Sequence, residues 1–325
     1  MTALKVGEAR RDDNVEAGFY EGGGLMIAIT GATGNTGAPA AEALLAKGEK
    51  VRVIGRDAAK LERFTSKGAE AFTGNAESAE EMARAFEGAD AVYLLIPQAL
   101  HREDFREYQA RIGDAYEAAV KKSGVKFAVL LSSIGASHAE GVGPIVGLHN
   151  LEQKLNGISG LNVLHLRPAH FMENLLLSIE GIRMMNVLPG AAPSDAAMPM
   201  IATRDIGNYA AARLAARDFS GHSTQELLGA RDYTMRDCAA IVGRAIGKPN
   251  LAYVQMPLML LESGLASMGL PKSSAAVVVE MWKAGNEGLL APEEPRSEKN
   301  TTPTTLEQFA EEVFAPVFQR RAAKA

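Results

Sequence analysis

A chain of 325 residues, 47% hydrophobic and 22% charged, is long enough for one large domain or for one domain with a smaller lobe. Its formal net charge of -5 gives no general attraction for nucleic acid or for an anionic membrane, and no run of apolar residues approaches membrane-spanning length. Cys238 is the only cysteine, which excludes an intrachain disulfide and favours a reducing, cytoplasmic setting.

Residues 1–24 are polar and charged and lack the apolar centre of a signal peptide, so a flexible extension is expected there, with folding from about Met26. "LMIAIT" (25–30) then reads as a buried strand, and "APAAEALLAKG" (38–48) as a helix stopped at Gly48. A strand is expected over 50–55, a helix over 57–68 and a strand over 69–75. The next helix covers 78–88, with Ser78 as N-cap and Glu81 at the capping-box position. Further strands are read at 90–97, 126–133 and 161–167, with a long helix over 102–124. The Pro-, Ala- and Met-rich stretch 184–200 reads as a loop, and 304–319 as a helix. Alternating apolar strands and helices imply an α/β fold. The expectation is a Rossmann-type doubly wound parallel sheet with a smaller, mostly helical C-terminal lobe.

The stretch "GATGNTG" (31–37) stands between the first strand and the first helix, where a dinucleotide fingerprint belongs. Gly31 permits a tight turn, Gly34 leaves room for a pyrophosphate, and Gly37 lets helix and strand approach. Unsatisfied main-chain N–H groups at the helix start attract the anion. Gly31, Thr33, Gly34, Asn35, Thr36 and Gly37 are therefore expected at the cofactor, within a binding domain over 25–180 and ahead of a lobe over 181–325. The second strand ends in Arg56, which suits the 2′-phosphate of NADP(H), with Lys60 one turn on. NADP(H) is favoured. Asp57, able to accept from a ribose hydroxyl, keeps NAD(H) open. Asn75 is either an adenine contact or a turn residue. Ile96 and Pro97, at the end of the fourth strand, are expected along the nicotinamide side.

The fingerprint, "LLSSIGA" (130–136), "LRPAHFMENLL" (166–176) and the later "TRDIGNYAA" (203–211) together resemble the NmrA-like branch of the short-chain dehydrogenases/reductases. The resemblance implies NADP(H) binding. It also implies either reduction of quinones, dyes or phenylpropanoids, or nucleotide sensing through a regulatory protein partner. The superfamily's serine matches Ser132 or Ser133. Its Tyr-x-x-x-Lys pair is missing, since no tyrosine lies between Tyr116 and Tyr209; Asn150 and Lys154 keep only the spacing. Reductases of the branch often carry Lys or His four residues before a Glu. The Glu matches Glu152, but position 148 is leucine and His149 is one place off.

The expected catalytic candidates are thus His149, Ser133 and His170, with Ser132 and Pro168 at the cofactor. Pro168 is expected to turn the chain over the nicotinamide. Ala169 and Phe171 are expected in the floor of a substrate pocket, His138 at its edge, and Asn174 as a tie for the loop. Lys154 is read as a ribose contact or a solvated lysine, and Asp205 as a helix cap that anchors the lobe. The Met-rich segments 184–200 and 256–268 read as an adaptable pocket wall or as core. No spacing suggests a metal or an esterase. The leading expectation is NADPH-dependent hydride transfer to a small apolar acceptor such as a quinone or dye. A nucleotide sensor and an epimerase or dehydratase are the rivals, and the oligomeric state is left open.

Overall fold

The central strands (Met26–Ile29, Ala91–Leu94 and Phe127–Leu131) form where apolar residues run without a break, because each is covered on both faces, whereas the edge strands (Glu70–Thr73 and His222–Leu227) are more polar and exposed. The computed structural model describes residues 25–322, so the extension expected over 1–24 lies outside the described residues. The chain begins with β1 (Met26–Ile29), α1 (Gly37–Ala46), β2 (Lys50–Gly55), α2 (Ala58–Thr65), β3 (Glu70–Thr73), α3 (Ala79–Phe86) and β4 (Ala91–Leu94). It continues through α4 (Phe105–Ser123), β5 (Phe127–Leu131), α5 (Ile145–Asn156), β6 (Asn162–Pro168) and the short β7 (His170–Phe171). A 3-10 segment (Met172–Ser178) leads to α6 (Ile179–Met185), β8 (Val187–Gly190), β9 (Met198–Ile201) and α7 (Thr203–Ala216). Then come β10 (His222–Leu227), β11 (Asp232–Tyr233), α8 (Met235–Ala245), β12 (Ala252–Gln255), α9 (Leu258–Ser267) and α10 (Lys272–Asn286). The last elements are α11 (Leu306–Phe309), a π-helical turn (Ala310–Phe314) and α12 (Ala315–Ala322).

The main sheet has seven strands in the order β10-β6-β5-β4-β1-β2-β3, and every neighbouring pair is parallel. The order reverses between β1 and β4, which opens a crevice at the carboxyl edge of the sheet. Alternation along the strands builds two cores. Ile27, Ile29, Val51 and Val53 face Leu44 of α1, Phe64 of α2 and Leu214 of α7. Ala28, Val92 and Leu130 face Phe86 of α3, Tyr116 of α4 and Leu155 of α5. Each fully buried Leu or Phe contributes roughly 1.5–3 kcal/mol of hydrophobic stabilisation.

The later half of the chain both caps this layer and forms a lobe of its own. β10 pairs with β6 as the outer strand of the main sheet. α7 lies so close on α1 that a Cβ on Gly207 would stand 2.5 Å from the Thr36 carbonyl oxygen. The lobe holds a sheet of β11-β9-β7 and a β12-β8 pair around a core that includes Met172, Tyr233, Val242, Phe309 and Phe314.

Three sequence expectations need correction here. Residues 184–200 are not one loop, because β8 and the start of β9 lie within them. Each of these strands is four residues long and carries a proline, and β8 sits in a two-stranded ribbon where a missing N–H is tolerated. The helix expected over 304–319 is divided by the π turn. Ser78 does cap α3, but Glu81 does not close the capping box; its carboxylate accepts from Asn75 N at 2.7 Å instead. Among the described residues no helix is long and apolar enough to cross a membrane.

Candidate dinucleotide and acceptor site

Because the strands are parallel, the residues that follow β1, β4, β5 and β6 all gather at one edge. The turn after β1 begins with Gly31 at φ +59°, a conformation L side chains rarely adopt. A Cβ there would also meet the Leu95 side chain at 2.8 Å. Gly34 N donates to Gly31 O at 2.9 Å, closing the turn. A Cβ on Gly37 would overlap the Gly31 carbonyl oxygen, so the close approach is between the helix and its own leading turn rather than the strand. At Gly34 an added Cβ would touch only that same oxygen, at 3.2 Å. Thr33, Gly34 and Asn35 are exposed, whereas Thr36 is buried. No side chain caps α1, and its first turn holds no acid. An exposed turn leading into a helix start with no side-chain cap, at the positive end of the helix dipole, fits a pyrophosphate.

At the end of β2, Asp57 caps α2 by accepting from Ala59 N at 3.1 Å, and Lys60 lies 3.7 Å from the same carboxylate. Arg56 is exposed and makes no ion pair among the described residues. The acid that kept NAD(H) open is therefore engaged locally, while the arginine is available to an anion. Asn75 is a turn residue: its Oδ1 accepts from Glu77 N at 3.1 Å. Its exposed amide nitrogen leaves the base contact open.

Beyond β4, Thr30 Oγ1 donates to Tyr93 O at 2.9 Å and accepts from Leu95 N at 3.1 Å, which locks the ends of β1 and β4 together. Ile96 and Pro97 follow, both half-buried. Beyond β5 the two serines differ. Ser132 is buried and its hydroxyl donates to Glu152 at 2.5 Å. Ser133 is half-buried, and its hydroxyl makes no hydrogen bond among the described residues.

Glu152 also receives a fork from Arg167, Nε at 3.0 Å and Nη2 at 2.7 Å. This buried triad of Ser132, Glu152 and Arg167 joins β5, α5 and β6, and sequence reasoning missed the pairing. An arginine ending an apolar strand was its one signal.

His149 faces the post-β5 loop, with Nδ1 2.8 Å from the Ala136 carbonyl oxygen. A carbonyl only accepts, so Nδ1 carries the hydrogen of this bond and Nε2 is left for another partner. Lys154 is removed from the cleft: it pairs with Asp114 at 2.7 Å and Glu117 at 3.5 Å on the flank of α4. His138 is half-buried in the loop, its N donating to Gly135 O at 3.1 Å.

Beyond β6 the expected turn at Pro168 does not occur. Pro168 stays in register with Leu227 of β10, and its carbonyl accepts from Ile134 N at 3.2 Å. Ala169 is core, 3% exposed, rather than pocket floor. His170 and Phe171 are half-buried in β7. Burial pushes the His170 imidazole down to about 4, so it is neutral near pH 7. Asn174 is exposed and ties nothing down among the described residues.

The tie comes from Glu173. It accepts from Thr203 N at 3.0 and 3.1 Å and from Thr203 Oγ1 at 2.5 Å, at the start of α7. Burial raises its carboxyl above the usual range. Asp205 anchors the lobe by accepting from Thr304 N at 2.9 Å and Thr304 Oγ1 at 2.7 Å.

α10 roofs this edge. Met281 and Ala284 pack on Ala136 and Ile145, and Trp282 packs on the lobe core. The Met-rich segments divide between the two readings. Met198 and Met200 belong to the lobe core, while Met259 and Met268 are exposed. A groove of about 590 Å³ lies between α4 and α5, with Lys154 and Asp114 in its wall. Among the described residues no group of three or more His, Cys, Asp or Glu is arranged to hold a metal.

Sheet order, glycine turn and uncapped helix start define a Rossmann-type α/β protein. The chain belongs to the NmrA-like family, whose pattern matches residues 25–310. It is 26% identical over 272 residues to the NAD(P)H azoreductase of Xenophilus azovorans, covering 82% of this chain and 89% of that protein. It is also 26% identical over 270 residues to quinone oxidoreductase 2 of Escherichia coli (strain K12), covering 81% and 89%. A solved NADPH-dependent quinone oxidoreductase from Escherichia coli, complexed with NADPH, superposes with a TM-score of 0.74 at 24% identity, over 89% of this chain and all of that one.

Proposed function

We propose that this protein is an NADPH-dependent reductase that passes a hydride to a flat, apolar acceptor such as a quinone or dye. The observation that carries the reading is the uncapped, acid-free start of α1 behind Gly31, Gly34 and Gly37, with Arg56 unpaired nearby. The azoreductase and quinone oxidoreductase relatives support the acceptor class.

Bound NADPH would supply a hydride from its nicotinamide. The chain's part is binding and orientation. Main-chain N–H groups of the turn from Gly31 to Gly37, with Thr33, Asn35 and Thr36, hold the pyrophosphate. Arg56 forks onto the 2′-phosphate, with Lys60 adding charge. Asn75 reaches the adenine side through its amide. Ile96, Pro97, Ser133 and the main chain beside Ser132 and Pro168 border the nicotinamide. His170 and Phe171, under α10, bound the acceptor, with His138 at the edge. In this reading residues 25–180 hold the cofactor, and the lobe that follows closes over the acceptor.

Of the tyrosines nearest this edge, Tyr93 and Tyr116 are fully buried, and the Tyr116 hydroxyl donates to Leu95 O at 3.0 Å. A quinone suits such a site, because its reduced oxygens are weakly basic and take their proton from water. Catalysis then rests on proximity and orientation.

The engaged Ser132 hydroxyl and the leucine at 148 favour one alternative, a nucleotide sensor that acts through a protein partner. Purified protein mixed with NADPH and a panel of quinones separates the two. The reductase consumes NADPH, seen as loss of reduced-nicotinamide absorbance. Tight nucleotide binding without turnover on any acceptor replaces it with the sensor.

A further inference from the structure

Trp282, the only tryptophan in the chain, lies half-buried on α10. Its ring centroid is 5.7 Å from that of His170, with the planes inclined by 52°. Several contacts hold α10 over the carboxyl edge. Ser274 Oγ donates to Arg102 O at 2.7 Å and Ser273 Oγ to Glu103 O at 2.9 Å, both beyond β4. Arg106 pairs with Glu280 at 2.6 Å. Gly143, beyond β5, leaves no room for a Cβ beneath the Val277 carbonyl. The indole is therefore fixed beside the end of β6.

The His170 ring makes no hydrogen bond with any described residue. Kept neutral by burial, its ring still carries one N–H and one lone pair. A polar group in that position gains from a partner. The arrangement puts an indole and an unengaged N–H side by side where β6 ends.

We infer that Trp282 and His170 together recognise the acceptor: a planar ring lies against the indole, and His170 donates to a carbonyl oxygen at the ring's edge. This rests on the reductase reading and narrows the acceptor to quinone-type compounds, in which flat ring and edge oxygen occur together. Trp282 acts by stacking and His170 by a hydrogen bond.

Because the chain has one tryptophan, its emission reports the site directly. Wild-type protein saturated with NADP+ is titrated with a water-soluble 1,4-naphthoquinone. Saturable quenching is expected, with a half-point near the KM for that compound. Trp282→Leu should raise the naphthoquinone KM about tenfold while NADPH affinity is unchanged, and Trp282→Phe should raise it by less than about threefold. His170→Phe, which keeps the ring but loses the N–H, should raise the KM by about fivefold or more.

Quenching that climbs linearly without saturation overturns the inference. So does a Trp282→Leu variant with normal NADPH affinity and normal KM. Should that variant fail to fold, the wild-type titration decides. If no acceptor is turned over, the reductase reading falls, yet saturable quenching still upholds the recognition element and linear quenching removes it.

Discussion

Arg167 forks onto Glu152 at 2.7 and 3.0 Å, and the side chains of this pair are 10% and 2% exposed. The Ser132 hydroxyl donates to the same carboxylate, so three consecutive elements of the fold meet on one acid. Its position beside the cleft suggests catalysis, but every polar atom of the carboxylate is already engaged. The arrangement orients β5 and β6 rather than offering a group to substrate.

That view has a stability consequence. Arg167→Met leaves Glu152 buried without its counter-charge and should cost about 3–5 kcal/mol. Adding Glu152→Leu removes the stranded charge and should recover most of the loss. Urea denaturation of both variants measures this; a double variant no more stable than the single contradicts it.

The glycines of the turn separate folding from binding. Gly31→Ala and Gly37→Ala each bring a methyl against neighbouring atoms and should destabilise the protein by about 1–3 kcal/mol. Gly34→Ala, with only a 3.2 Å contact, should cost less than about 1 kcal/mol yet weaken NADPH binding about tenfold or more if the proposed pyrophosphate site is right, because the methyl would crowd the exposed turn. Thermal unfolding and nucleotide titration of the three variants check the division. Normal affinity in Gly34→Ala would remove the pyrophosphate from that spot.

Cofactor choice is tested at Arg56. Arg56→Glu should weaken NADPH by roughly 10–100-fold through loss of charge-assisted hydrogen bonds, while NADH binding stays within about threefold. Equal losses for both nucleotides in titration calorimetry would refute the assignment.

His165 makes stability depend on pH. It is 2% exposed, Nε2 lies 2.8 Å from Asn156 Oδ1, and Nδ1 has no hydrogen-bond partner. Burial lowers its pKa from 6.5 to about 4. Between those values the unfolded chain binds a proton that the folded chain does not. Stability is therefore full above about pH 6.5 and falls toward pH 4, by at most on the order of 3 kcal/mol. His170, lowered by the same cause, acts in the same direction. Urea midpoints at pH 7 and pH 4.5 should differ less in His165→Gln than in wild type; an unchanged difference assigns the acid sensitivity elsewhere.

The βα rhythm up to β6 was legible because β1, β4 and β5 are continuous apolar runs and the other strands are largely apolar, all set between helices with their own periodicity. The turn from Gly31 to Gly37 was legible because the chemistry needs that residue type at that point in the chain. The lobe was harder. β8 and β9 are short strands whose prolines imitate a loop. The candidate site divides in the same way. Arg56 and the glycines follow from local order, but Glu152 meets Ser132 across 20 residues and Trp282 meets His170 across more than a hundred, and no periodicity encodes such meetings. Pro168 and Asn174 misled because their types suggest a turn and a tie. The ladder to β10 keeps one straight, and Glu173 supplies the other's expected bond.

The outermost strand of the large sheet reaches its place only after the chain has travelled through α6, β8, β9 and α7. A nascent or clipped polypeptide that stops short of residue 222 would present the bare flank of β6, a seven-residue strand with alternate amides and carbonyls turned outward. Such flanks recruit strands from neighbouring molecules. Synthesis of this protein therefore carries a sticky interval that ends when His222–Leu227 arrives, and a gene cut before that point should yield inclusion bodies rather than a working nucleotide binder.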